Sequence, residues 1–220
     1  MRRFTLAIGL FVVALSTAAS ATPILSFGQT AATSTVTATN NAADTSTTVS
    51  GSDIAVSLSQ FAGGGANVPA YLTLNLTSTG PASTLAGQVL ESFSGSASFT
   101  SATGGAGTNY LSATFTDFIF GALGGSSLTL SASEPPGTVV FTSSVLPSSI
   151  LQDPKALSFG FANVTGPAAI VGTTLQGFTS TISGTVSAAA ATAVPEPASL
   201  ALLAGGVALM GAGRTRRRAV

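Results

Sequence analysis

Hydrophobic and polar residues alternate with a period of two along most of the middle of the chain. In the clearest case Leu72, Leu74 and Leu76 share one phase, while threonine and asparagine occupy the other. This alternation is typical of a β-strand that buries one face and exposes the other to solvent. Similar alternation occurs in residues 54–58, 89–99, 111–115, 128–132, 139–141, 157–161 and 178–186. The pattern predicts many short strands.

Glycine and proline clusters separate these segments and predict the turns between them. They occur at residues 63–65, 80–81, 104–105, 124–125 and 135–137, where glycine and proline favour reversal of the chain. No convincing helical period appears before residue 190. The sequence therefore predicts an all-β domain, as an antiparallel β-sandwich or, as an alternative, a β-barrel.

Two local patterns give more specific predictions. Phe118 and Phe120 lie in the opposite phase to Phe115, so we expect a β-bulge near Thr116 and Asp117. Threonines alternate at positions 33, 35, 37 and 39, which predicts a threonine-rich strand. Flat threonine arrays resemble ice-binding faces, but one strand is not an array and no fixed-period repeat follows. A threonine-rich edge strand is the simpler interpretation.

Residues 1–21 have the three parts of a secretory signal peptide. Arg2 and Arg3 precede an apolar core at residues 4–15, and Ala19-Ser20-Ala21 supplies an A-x-A cleavage site. We expect export by the Sec machinery and cleavage after Ala21. A retained N-terminal anchor is the alternative, although the apolar core is short for one.

The last 27 residues contain a proline-bracketed acid, an apolar run and an arginine cluster, in that order. Val194-Pro195-Glu196-Pro197 interrupts any helix, because proline has no amide hydrogen to donate. Residues 198–213 carry no charge and would span ~24 Å as a helix, so we predict a short transmembrane helix. The four arginines that follow would remain cytoplasmic; they are Arg214, Arg216, Arg217 and Arg218.

This arrangement resembles the PEP-CTERM sorting signal of Gram-negative bacteria, with Val194 to Pro197 as its motif. The resemblance implies processing by a membrane protease of the exosortase type, which would cut near the motif. An ordinary C-terminal anchor or a buried apolar helix are the alternatives. The predicted organisation is thus a signal peptide at 1–21, a Ser/Thr/Gly-rich β domain at 22–193 ending in an alanine-rich spacer, and a sorting signal at 194–220.

Charge and composition narrow the function classes further. Residues 22–197 contain one lysine against seven carboxylates, a formal charge of −6. A basic surface for phosphate backbones is absent, so we exclude nucleic-acid binding. The chain has no cysteine and therefore no disulfide framework.

The inventory of reactive side chains is poor. Without histidine or cysteine, the common general base, serine triads, thiol catalysis and thiolate zinc sites are excluded. Glu91 and Asp117 fall in strand-like segments and could serve a glycosidase as its pair of carboxylates. Solvent-facing strand acids are the simpler interpretation, so we predict no catalytic, cofactor or metal residues.

These patterns predict a non-enzymatic exported protein. We expect an inner-membrane intermediate and then a location on the cell surface or in the exopolysaccharide (biofilm) matrix, with a structural or adhesive role. Extracellular polysaccharide is a candidate partner. The alternatives are a secreted carbohydrate-binding or carbohydrate-active protein and, as a more distant one, an ice-binding protein.

Overall fold

A computed structural model describes residues 21–31, 33, 35–135 and 137–189, and this part of the chain is built almost entirely from strands. In chain order they are β1 (Thr22–Gln29), β2 (Val36–Asn40), β3 (Thr47–Phe61), β4 (Val68–Ser78), β5 (Ser83–Leu85), β6 (Gln88–Thr100), β7 (Asn109–Ala122), β8 (Leu128–Glu134), β9 (Thr138–Thr142), β10 (Gln152–Thr165), β11 (Ile170–Val171), β12 (Thr174–Leu175) and β13 (Phe178–Ala189). One 3-10 turn covers Ser148–Ile150. Within these residues, no helix has the length and hydropathy needed to cross a membrane.

The main sheet closes on itself. Its hydrogen-bonded path runs from β1 through β13, β10, β8, β7, β6, β4 and β3 back to β1, and every pairing is antiparallel. β5 and β9 add to the flanks of β6 and β7. The all-β prediction is confirmed. Because the path is closed, the sheet corresponds to the β-barrel that the sequence analysis gave as the alternative to a β-sandwich.

β1 and β2 occupy the same gap between β3 and β13, one after the other. The side chain of Gln29 bridges the interruption: its Oε1 accepts from the Ile182 amide at 3.2 Å, and its Nε2 donates to the Ala31 carbonyl at 2.7 Å. The predicted threonine strand is therefore wrong in its first half, because β2 begins only at Val36. Thr37 and Thr39 do lie in the strand and are exposed.

Alternating apolar side chains fill the interior of the closed sheet. Four phenylalanines from different strands meet edge to face near its middle. Phe27 lies 4.8 Å from Phe99 and 5.4 Å from Phe159 between ring centroids, and Phe115 lies 6.3 Å from Phe159. This geometry is favourable for aromatic pairs, so the rings join opposite walls of the domain.

The predicted bulge in β7 is absent, and that prediction is wrong. β7 keeps an unshifted register with β6 from Ala122, opposite Gln88, to Leu111, opposite Phe99. Ile119 is only 1% exposed and continues the inward phase of Phe115. The phase of the strand is therefore set by the isoleucine between the two phenylalanines.

The alanine-rich spacer, predicted at residues 188–193, overlaps the last strand. Ala188 and Ala189 belong to β13 and are fully buried, because small side chains fit where β10 and β1 both flank the strand. Ala188 pairs with Thr22, the first residue of β1. Both ends of the described domain thus leave from one end of the closed sheet, which we call the terminal end.

Pairing of the first and last strands can be tested with an engineered disulfide, since the chain has no native cysteine. The hydroxyl oxygens of Ser26 and Thr185 lie 3.4 Å apart across β1 and β13. We expect the double variant Ser26→Cys/Thr185→Cys to form a disulfide on mild oxidation, seen as faster migration in a non-reducing denaturing gel.

The control is Ser26→Cys/Ser131→Cys. Ser131 lies in the same cross-strand row as Ser26 but on β8. Three interstrand spacings of ~4.8 Å separate the two residues, which is too far for a disulfide. Cross-linking of the control, or none in the first variant, would contradict the pairing.

Candidate functional site

The segment of residues 166–177 covers the end of the sheet opposite the terminal end, and we call it the cap. It contains the small hairpin of β11 and β12. Backbone hydrogen bonds tie the cap to three neighbouring loops: Thr173 N donates to Asp44 O at 2.9 Å, Gly124 N to Ala168 O at 2.8 Å, and Ala82 N to Thr173 O at 2.8 Å. The cap is therefore anchored on several sides.

Glu91 of β6 holds the cap from inside. The residue is 1% exposed, its Oε1 accepts from the Thr174 hydroxyl at 2.6 Å, and its Oε2 accepts from the Leu175 amide at 2.9 Å. Thr47, also buried, donates to the Leu175 carbonyl at 2.8 Å and contacts the Thr174 hydroxyl. Both carboxyl oxygens are thus occupied by the cap.

This environment overturns the interpretation of Glu91 as a solvent-facing acid. A buried carboxyl is stable only when its oxygens find hydrogen-bond partners, and here residues more than eighty positions away supply them. A general acid or base must reach the substrate proton that it transfers. Glu91 instead positions the hairpin of β11 and β12.

Asp117, the other candidate acid, lies on the neighbouring strand. By backbone register Glu91 is opposite Ile119 and Asp117 is opposite Phe93, so the two acids occupy diagonal positions on paired strands. Sequence spacing could not predict this closeness. The side chain of Asp117 lies outside the described residues, and its role stays a prediction.

Three other described acids bond to backbone amides or to a lysine. Glu134 Oε2 accepts from the Val139 amide at 2.9 Å, and Asp53 Oδ1 accepts from the Gly104 amide at 2.7 Å. Asp153 forms an ion pair with Lys155. Among the residues that the structure describes, no three acids, histidines or cysteines come together as metal ligands would.

The described surface includes two shallow depressions without charged residues in their linings. The larger, of about 340 Å³, lies at the break between β1 and β2 and is lined by residues 28–31 and 181–183. The other, of about 270 Å³, is lined by Ser94, Gly95, Thr114, Phe115, Thr116 and Thr138. Neither lining includes a charged residue, so both offer hydrogen bonding without acid–base chemistry.

The predicted processing residues lie almost wholly outside the described part of the chain. This applies to Ala19, to Val194, Pro195, Glu196 and Pro197, and to Arg214, Arg216, Arg217 and Arg218. Ala21 is described and directly precedes β1. Cleavage after Ala21 would leave Thr22 as the first residue of a strand that is paired on both sides.

Beyond the described β domain, the C-terminal residues of the chain match a known sorting motif. The family model described as the PEP-CTERM protein-sorting motif matches residues 193–218. The chain therefore carries this motif at its C-terminus, as the sequence predicted. Searches of curated proteins and of solved structures found no match to the chain.

The structural role of Glu91 predicts a sharp difference between two substitutions. Glu91→Leu leaves the Leu175 amide buried without an acceptor, so we expect the free energy of unfolding to fall by about 3 kcal/mol. In Glu91→Gln, the amide oxygen can accept from Leu175 N while its NH₂ donates to Thr174, so we expect a loss under about 1 kcal/mol. Urea unfolding followed by circular dichroism measures both.

Equal losses for the two variants would show that the hydrogen bonds of Glu91 do not hold the cap. Thr174→Val is a second check, since it removes one donor to the carboxyl and leaves the amide of Leu175 in place. We expect an intermediate loss of about 1–2 kcal/mol.

Proposed function

We propose that this protein is an exported, non-enzymatic component of the cell surface or exopolysaccharide matrix, with a structural or adhesive role, and that its tail is cut near Pro195-Glu196-Pro197. The observation that carries the proposal is the PEP-CTERM motif at residues 193–218. This motif marks proteins that are exported and sorted to the cell surface through an exosortase, a membrane protease.

The arrangement of the chain ends supports this route. Thr22 pairs with Ala188, so a signal peptide before Thr22 and a sorting signal after Ala189 would both leave from the terminal end. Eight residues lie between Ala189 and Ala198, where the predicted apolar span begins, so this segment reaches at most about 32 Å when extended. The terminal end would thus face the membrane until the tail is removed.

The chemistry of the domain supports a structural rather than an enzymatic role. Glu91 holds the cap, Glu134 accepts from the Val139 amide, Asp53 accepts from the Gly104 amide in the loop between β6 and β7, and Lys155 is paired with Asp153. Each described acid with a hydrogen-bond partner in these contacts stabilises local structure. A closed sheet around a phenylalanine-rich interior suits a protein that must persist outside the cell without disulfides.

A carbohydrate-active protein is the second candidate, and the diagonal register of Glu91 and Asp117 favours it. The burial of Glu91 in the cap weighs against it. Glycan hydrolysis that is lost in Asp117→Asn, with the fold retained, would support this candidate and contradict the non-enzymatic proposal.

Processing is tested by measuring the C-terminal mass and the location of the full chain in cells with and without the sorting protease. With the protease, we expect surface material that lacks residues 198–220; without it, we expect an uncut chain in the membrane fraction. Pro195→Ala/Pro197→Ala should behave as uncut in both strains, because it alters the motif itself.

Pro81→Ala is the matched control, since Pro81 is exposed in the loop between β4 and β5, far from the motif along the chain, and it should be cut normally. Mature surface protein that still ends in Val220 would refute cleavage. Normal cutting of the motif variant would refute recognition through the two prolines.

A further inference from the structure

The outer surface of β2, β3, β4, β6, β7 and β9 carries hydroxyl groups in registered rows that run across the strands. We call this surface the hydroxyl face. One row consists of Thr39, Thr48, Thr77, Ser94, Thr116 and Thr138. The next consists of Thr37, Ser50, Asn75, Ser96, Thr114 and Val140. A shorter row consists of Thr73, Ser98, Ser112 and Thr142.

The rows form because strand register brings outward positions of successive strands into line. Along a row the side chains recur every ~4.8 Å, and neighbouring rows lie ~7 Å apart. Every residue in the rows is exposed or half-buried. The surface therefore offers a two-dimensional set of hydroxyl groups that each can donate and accept a hydrogen bond.

The protein itself uses few of these hydroxyl groups. Thr73 accepts from the Asp53 amide at 3.5 Å, and Ser112 donates to Asn109 at 3.0 Å. In the hydrogen bonds described for this domain, the hydroxyl groups of the two longer rows take no part. They are available to an external partner.

One of the two depressions lies within the hydroxyl face. The depression of about 270 Å³ opens between β6, β7 and β9, with Ser94, Thr114, Thr116 and Thr138 on its rim. Gly95 and Phe115, paired with each other in the inward phase of β6 and β7, complete its lining. The four hydroxyl groups thus surround one shallow seat.

Charge restricts the partner. No row contains a charged residue, and residues 22–197 carry a formal charge of −6. A polyanion would be repelled by this net charge and would meet no basic group on the face. A neutral partner with many hydroxyl groups matches both the charge and the hydrogen-bonding pattern.

We propose that the hydroxyl face binds a neutral polysaccharide chain oriented across the strands, with the depression as the central binding site. The inference rests on the proposed function, because it names the matrix component to which a surface protein of this kind adheres. Each sugar hydroxyl would bond to one or two of the regularly spaced side chains. Binding is weak at each contact and strengthens with chain length.

A regular hydroxyl array could also contact the lattice of ice, but the curvature of the sheet favours the polymer. Strands in a sheet twist by roughly 20–25° from one to the next. The hydroxyl face also covers about half of a closed path. A rigid crystal plane can touch only a few strands of such a surface at once, whereas a flexible chain can follow it.

The test uses the full chain in detergent and measures binding to dextran, a neutral glucan, with dextran sulfate as the charged counterpart. The variant Thr114→Val/Thr116→Val keeps side-chain shape and strand preference but removes two hydroxyl groups beside the depression. We expect wild-type protein to bind dextran more tightly than dextran sulfate. We expect the variant to bind dextran about tenfold more weakly than wild type does.

The matched control is Thr129→Val/Ser183→Ala, which also removes two hydroxyl groups but on β8 and β13, in a row that Gly160 and Gly28 interrupt. It should bind dextran as wild type does. Far-UV circular dichroism and thermal melting establish that each variant is folded. If the first variant does not fold, Ser50→Ala/Asn75→Ala removes polar groups from the same face.

Three results would overturn the inference: no dextran binding by wild type, equal loss in the control, or preference for dextran sulfate. Inhibition of ice recrystallisation that disappears in Thr114→Val/Thr116→Val, without dextran binding, would assign the face to ice instead. Surface location and tail cleavage are measured separately. A correctly sorted protein that binds no dextran would therefore sink this inference and leave the sorting proposal intact.

Discussion

The pairing of β1 with its two neighbours is the interaction on which the rest of the domain depends. β1 hydrogen-bonds to β3 on one side and to β13 on the other, so the first strand joins the two ends of the sheet. Without it, the phenylalanine cluster around Phe27 would face solvent along an open seam. The same pairing brings Thr22 and Ala188 together, which directs both chain ends to one side.

Local alternation was enough to predict most strands and their buried faces. The phases of Leu72, Leu74 and Leu76, and of Phe159 with Phe161, appear in the structure as the sequence indicated. The errors arose where a strand is interrupted or where a single residue sets the phase. At the break before Val36 the side chain of Gln29 replaces backbone pairing, and in β7 it is Ile119 that follows the inward phase of Phe115.

The contacts of the candidate site could not be read from sequence, because they join distant parts of the chain. Glu91 meets Thr174 across 83 positions and Leu175 across 84, and no local pattern marks either partner. The hydroxyl face has the same origin. The threonine alternation on β2 was visible, but its alignment with rows on β3, β4 and β6 depends on register between strands, which side-chain type alone does not determine.

The position of β1 also has a kinetic consequence. Thr22 and its partner Ala188 are 166 positions apart. Closing so long a loop costs conformational entropy before the contacts between the two strands can stabilise the sheet. On the proposed export route, which starts at the N-terminus, the sheet can close only when β13 has crossed the membrane. Until then the edges of β1, β2 and β10 that pair with β13 are open, so on this route the chain is most exposed to aggregation and proteolysis between translocation of the first strand and translocation of the last.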